Sequence, residues 1–129
     1  MDERDVREWM DANLARKALE FGLADWEIKW AEEDVEGGSA SVEAKPEYRF
    51  AKINIDVRDQ KSAADLERTV EHELLHAVSS NVYDTAWTLI QQCSASDAEK
   101  AILCKALVSA VERDCTQMER LVSGLRGKP

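Results

Sequence analysis

Both histidines of the 129-residue chain lie in one pentapeptide, His72-Glu73-Leu74-Leu75-His76. In an α-helix, residues four apart lie above one another on the same face, so the two imidazoles can direct nitrogens at one metal ion. Glu73 is rotated by about 100° from His72, which places its carboxylate beside such a site rather than on the metal. This spacing predicts two zinc ligands, His72 and His76, with Glu73 as a general base that activates water.

The helix around the pentapeptide has a clear apolar side. Counting about 100° per residue, the two histidines fall roughly opposite the apolar stripe, so we expect them to face solvent or a cleft rather than the core. The predicted stripe consists of Leu66, Val70, Leu74, Ala77 and Val78.

The segment from Thr69 to Val78 resembles the extended zincin consensus. That consensus has Val or Thr three positions before the first histidine, here Thr69, and uncharged residues around the pair; Glu71 is a mild departure. The short chain and its element order resemble the minimal gluzincins and related small HExxH proteins of phages and bacteria. The resemblance implies a zinc-dependent metallopeptidase with His72 and His76 as ligands and Glu73 as base. It also implies that the strand before the active helix binds an extended peptide.

A catalytic zinc site normally has three protein ligands and an open position, and the chain has no third histidine. The metzincin pattern would require Gly at position 79 and His at 82, where the chain has Ser79 and Val82, so that family is excluded. An acidic third ligand is expected instead, as in gluzincins. We select Glu99, 23 residues after His76 in the first turn of the final helix. Ser96 and Glu99 also form a capping-box pattern, which is the competing role for this carboxylate.

Three other acids are alternatives for the third ligand. Asp84 follows His76 by eight residues; Asp114 falls inside the apolar stripe of the final helix; Glu112 projects to the opposite, solvated face and is a weak candidate. Tyr48 and Tyr83 are further candidates, for stabilising negative charge on a substrate oxygen. The stripe of the final helix is predicted to comprise Leu103, Ala106, Leu107, Ala110, Val111, Met118, Leu121 and Leu125.

Periodicity predicts an α+β fold in one domain, residues 1–129: an N-terminal helix, a small three-stranded sheet packed on helices, the HExxH helix and a long C-terminal helix. A loop containing Asn81 and Asp84 is expected after the HExxH helix, followed by a short helical piece at 86–92. The predicted bounds are helices at 3–22, 62–80 and 96–123, and strands at 26–30, 39–44 and 50–57.

The composition restricts the function classes. The net charge of −9 argues against nucleic acid and anionic membrane as partners, and is compatible with attraction of a cation. The charged N-terminus is unlike a signal peptide and no apolar run has the length of a membrane span, so we expect a cytoplasmic protein. The three cysteines are expected to be reduced.

The sequence therefore predicts a zinc metallopeptidase that acts on a peptide or protein substrate. The first alternative is a catalytically inactive zinc-binding or protein-interaction module. The second is a helical binding domain without metal, in which the pentapeptide is coincidental. The substrate and the oligomeric state are left open by the sequence.

Overall fold

The computed structural model describes residues 1–36 and 38–126, and confirms an α+β fold with three helices and a small mixed sheet. The elements are α1 (Glu3–Glu20), β1 (Glu27–Glu32), β2 (Ala40–Lys45), β3 (Phe50–Ile55), α2 (Ala63–Gln92) and α3 (Asp97–Arg126). Short 3-10 turns lie at Pro46–Tyr48 and Val57–Asp59. No helix in this described part of the chain has the length and apolar character needed to cross a membrane.

The chain divides into two compact units, residues 1–78 and residues from 79 onward. The first contains α1, the sheet and the part of α2 that carries the pentapeptide; the second contains the rest of α2 and α3. The boundary lies within α2. The expectation of a single domain stays a prediction.

Helix α1 is fixed at both ends by local hydrogen bonds. Asp2 and Asp5 form a capping box in which the backbone N–H of Asp5 donates to Asp2 Oδ1 over 2.8 Å. At the other end Gly22 has a φ of +75°, a left-handed conformation that glycine adopts without a steric penalty. The backbone N–H of Leu23 then donates to the Ala18 carbonyl over 2.9 Å and closes the helix.

Strand β3 is the middle strand of the sheet. It pairs in parallel with β1 and antiparallel with β2, from Phe50 to Ile55 in both cases, so both of its hydrogen-bonding edges are occupied. The zincin resemblance implied that β3, the strand before the HExxH helix, binds an extended peptide. That prediction is wrong for β3, because a peptide can add only to an unpaired edge of a sheet. The outer edges of β1 and β2 are the ones that no strand among the described residues covers.

The core of the first unit lies between the helices and one face of the sheet. Alternation along β3 turns Ala51, Ile53 and Ile55 to this face, and all three are fully buried. Val6 and Met10 of α1 belong to the same cluster, as do four residues of α2, namely Leu66, Val70, Leu74 and Ala77. This core fixes which side of α2 faces the sheet, and hence which side carries the histidines.

The second unit differs from the sequence prediction in two ways. Residues 81–85 are helical, so the predicted loop is wrong and α2 is continuous from Ala63 to Gln92. Among the side chains of α3 that the structure describes, Cys104 and Cys115 are buried, whereas Leu103, Ala106, Met118 and Leu121 of the predicted stripe are exposed. The side chain of Leu125 lies outside the described residues.

Candidate metal centre

The pentapeptide lies in regular helix, as predicted. Ser62 caps the start of α2: its hydroxyl accepts from the backbone N–H of Asp65 over 3.2 Å, and its carbonyl accepts from the N–H of Leu66 over 3.0 Å. Helix then continues without interruption through residues 72–76. The two imidazoles therefore start from backbone positions one turn apart.

The apolar stripe of α2 is confirmed except at its end. Leu66, Val70, Leu74 and Ala77 are completely buried, but Val78 is 47% exposed. Val78 lies about 40° beyond Leu74 on the helical circumference, which takes it past the edge of the core-facing side. The histidines lie on the other side of the helix and are each partly buried.

The rings of His72 and His76 converge through their Nε2 atoms, which lie 3.2 Å apart. The ring centroids are 4.9 Å apart and the ring planes meet at 74°, an edge-to-face arrangement. The nitrogens are thus closer together than the ring centres, because both Nε2 edges turn toward the same point. Each residue offers one ring nitrogen to a metal ion.

This separation fits a zinc ion. Two nitrogen ligands, each about 2.0–2.1 Å from a tetrahedral zinc, are themselves about 3.3 Å apart. The observed 3.2 Å agrees closely with that requirement. The same distance also fits an N–H···N hydrogen bond between two neutral imidazoles in suitable tautomers, so metal titration is the experiment that separates the two arrangements.

Glu73 lies between the histidine side and the apolar side of α2. It is about 100° from His72 and about 60° from His76 around the helix. Its side chain is largely withdrawn from solvent, with 8% of the residue exposed. The placement of its carboxylate beside the two imidazoles stays a prediction.

Glu99 caps α3 in the structure. Its Oε1 accepts from the backbone N–H of Ser96 over 3.1 Å, and its own N–H donates to Ser96 Oγ over 3.2 Å. Hydrogen bonding of the Glu99 carboxylate by the backbone and then the side chain of Ser96 holds the pKa of Glu99 below its ordinary value. The capping box is confirmed, and the ligand role of Glu99 stays a prediction.

The three alternative acids are all exposed members of helices. Asp84 lies in α2 rather than in the predicted loop. Asp114 was expected within the buried stripe of α3 and is exposed instead, so that part of its prediction is wrong. Glu112 is exposed, in agreement with its predicted position on the solvated face of the final helix. Each of the three stays a candidate for the third zinc ligand because its side chain is a carboxylate.

The two candidate tyrosines lie in different surroundings. Tyr48 is 76% exposed in the turn between β2 and β3. Tyr83 is partly buried and its ring stacks on Trp87, with centroids 5.9 Å apart. Burial raises the pKa of the Tyr83 hydroxyl, and nearby Cys104 and Asp84 add to the rise, so this phenol keeps its proton at neutral pH.

Comparisons with protein-family models, curated proteins and solved structures each find no match to this chain.

The sequence prediction missed a buried ionic cluster beside the motif. Lys17 of α1 is 1% exposed and pairs with Glu20, Glu67 and Glu71. A signal for it was present in the sequence, since Lys17 continues the spacing of Met10 and Leu14 and so occupies a core-facing position on α1. A charged side chain at such a position requires charged partners from a neighbouring element.

Proposed function

We propose that this protein is a zinc-dependent metallopeptidase whose metal is held by the HELLH segment of α2. The observation that carries the proposal is the convergence of His72 and His76, whose Nε2 atoms are 3.2 Å apart. Support comes from the position of Glu73, which directly follows His72 on the same helix. The three side chains are the ones that the zincin resemblance assigns to the site.

His72 and His76 would hold zinc through Nε2, and one acidic side chain would complete the ligand set. Glu99 remains the first candidate, with Asp84, Asp114 and Glu112 as alternatives. When bound, zinc supplies a Lewis acid that activates water for nucleophilic attack and polarises the substrate carbonyl. The net charge of −9 favours accumulation of a divalent cation near the protein.

Glu73 acts as the proton carrier of the reaction. Its carboxylate accepts a proton from the attacking water and delivers it to the nitrogen of the departing amine. Because four fully buried side chains of α2 belong to the core cluster, the backbone that carries Glu73 is held in place next to His72. Tyr48 and Tyr83 stay candidates for stabilising the substrate oxygen.

The substrate is an extended peptide. Both edges of β3 are paired, so a peptide that extends the sheet would add to the outer edge of β1 or of β2. Backbone hydrogen bonds of this kind bind peptides with little dependence on their sequence. A zinc peptidase built in this way acts on unfolded or extended segments.

The proposal is tested by the substitution Glu73→Gln, with Glu8→Gln on the exposed side of α1 as a matched control. A mixture of unfolded peptides is incubated with zinc-loaded protein, and cleavage is followed by mass spectrometry. We expect Glu73→Gln to bind one zinc per chain but to lose about 10²–10⁴-fold in rate, the usual contribution of a general base. Wild-type rates in Glu73→Gln would contradict the proposal.

A zinc-binding module without catalysis is the second candidate. It is favoured by the low exposure of Glu73, because a general base must reach a water molecule and only 8% of this residue is exposed. In that case the wild type would bind zinc and gain stability from it, but would cleave no peptide under any condition tested.

A further inference from the structure

Lys17 is a buried cation in the core-facing side of α1. It is 1% exposed and is among the largest fully buried side chains of the described residues. Its neighbours along this side of the helix are the apolar residues Met10, Leu14 and Ala18. Removing an ammonium group from water is strongly unfavourable unless charged partners compensate it, so the position of Lys17 depends on what surrounds its Nζ atom.

Three carboxylates surround Lys17 Nζ. Glu67 accepts a hydrogen bond from it, while the nearest oxygens of Glu20 and Glu71 lie at 3.5 and 3.8 Å. Glu20 belongs to α1, whereas Glu67 and Glu71 lie one turn apart on α2. Glu71 is itself 5% exposed and directly precedes His72. A single ammonium thus joins α1 to the turn of α2 that leads into the metal ligands.

The ionic contacts restrain α2 in a way that its apolar contacts do not. Packing of Leu66, Val70 and Leu74 on the sheet fixes the face of the helix, but dispersion contacts between such side chains carry little directional preference. Glu67 and Glu71 lie on the flank of α2, about 60–100° from the middle of the apolar stripe. Because both carboxylates contact the single Nζ atom of Lys17, they restrain rotation of α2 about its axis and sliding of α2 along it.

We propose that Lys17 is a positioning residue for the zinc site: through Glu67 and Glu71 it sets the rotation of α2, and thereby the direction in which His72 and His76 present their Nε2 atoms. This inference rests on the proposed zinc site. Rotation of α2 keeps the separation of its two imidazoles but moves both of them relative to any ligand outside this helix, so assembly of the complete ligand set depends on the rotation of α2. Lys17 makes no direct contribution to the chemistry.

The sign of the effect on metal affinity distinguishes positioning from simple electrostatics. Substituting Lys17 by Met removes a positive charge, and Coulomb's law alone then predicts tighter binding of a divalent cation. Loss of positioning predicts the opposite, weaker binding. Lys29→Met is the matched control, since it removes the same charge from an exposed ion pair with Glu27 in the same unit.

The experiment measures zinc affinity by chelator competition for the wild type, Lys17→Met, Lys17→Arg and Lys29→Met, at one pH and ionic strength. Circular dichroism of the metal-free proteins selects a temperature at which every variant is folded. We expect Lys17→Met to bind zinc about tenfold more weakly or worse, as for lost outer-shell partners of metal sites. Lys17→Arg should recover most of the affinity, and Lys29→Met should match the wild type or bind slightly more tightly.

Wild-type affinity in a folded Lys17→Met variant would overturn the inference while leaving the zinc site intact, because a purely structural lysine lowers the melting temperature without altering affinity. If Lys17→Met does not fold, Glu71→Asp replaces it; this variant keeps the negative charge but shortens the side chain, so it loses the contact with Lys17 Nζ without changing the net charge near the site. A several-fold loss of affinity in Glu71→Asp supports the inference, and an unchanged affinity overturns it. A wild type that binds no zinc overturns both this inference and the proposed function.

Discussion

The Nε2 atoms of His72 and His76 lie 3.2 Å apart, on successive turns of one helix and on the side away from its buried stripe. This relationship joins sequence, fold and chemistry. The four-residue spacing aligns the rings, the apolar stripe turns them away from the sheet, and their separation matches two ligands of a tetrahedral metal.

The core contacts of α2 are expected to dominate the stability of the motif helix. Leu74 lies inside the pentapeptide and is fully buried, so Leu74→Ala should lower the free energy of unfolding by about 2–5 kcal/mol. Val82→Ala on the same helix is the control: Val82 is 74% exposed, and its loss should change stability by less than about 0.5 kcal/mol. Urea denaturation measures both, and equal losses would contradict the assigned orientation of the helix.

The capping box of α3 predicts a pH-dependent contribution to stability. Hydrogen bonds from Ser96 hold the pKa of folded Glu99 below its ordinary value, so the ionised carboxylate stabilises the folded state. This contribution is complete above the unfolded pKa of about 4.3 and is lost as the pH falls through the lower folded pKa. The stability difference between the wild type and Glu99→Gln should therefore be constant near neutral pH and shrink in acid. A difference that does not vary with pH would contradict the hydrogen-bonded cap.

Four conservative substitutions identify the third ligand: Glu99→Gln, Asp84→Asn, Asp114→Asn and Glu112→Gln. Each removes a charge and keeps the shape of the side chain. We predict that one of them weakens zinc binding by more than about 100-fold, the upper range for loss of an outer-shell partner, and that the other three have small effects. Affinity is measured by chelator competition. Four unchanged affinities would show that the third ligand is not among these acids.

Thiol reactivity reports the packing of α3. Cys104 and Cys115 are 7% and 1% exposed, whereas Cys93 is exposed, and all three are free thiols. We predict that a thiol reagent modifies one cysteine rapidly in the native protein and three after denaturation. Cys93→Ser should remove the rapid phase. Rapid modification of three thiols in the native protein would contradict the buried positions of Cys104 and Cys115.

Much of the fold could be predicted from the sequence because its signals are local. The period of 3.6 residues in α1 and α2, the alternation in β3 and the capping box at Ser96 act over a few residues, and each corresponds to an observed element. The orientation of His72 and His76 followed from the same periodicity, because residue identities alone define the apolar side of a helix.

The continuation of α2 through residues 81–85 was not predicted. Asn81 and Asp84 suggested a loop, but their intrinsic cost in a helix is below about 1 kcal/mol each, and neither Gly nor Pro occurs between residues 77 and 92. A weak preference of two residues does not interrupt a helix whose other positions favour it.

The remaining errors concern contacts between distant residues. Whether Leu103 or Cys104 is buried on α3 depends on a rotation of about 100°, which a helix with apolar residues on several sides does not determine by itself. Lys17 is buried because carboxylates from α2 meet its ammonium group, and those lie about 50 residues away in the chain. Sequence periodicity carries no information about such pairings.

The most direct test of the account is the zinc stoichiometry of purified protein, measured by elemental analysis after loading and desalting. We predict one zinc per chain in the wild type, with a higher melting temperature than after chelation, and no retained zinc in His72→Ala or His76→Ala. A wild-type protein that retains no zinc, or histidine variants that retain as much as the wild type, would contradict the central claim and leave the 3.2 Å contact as a hydrogen bond between two imidazoles.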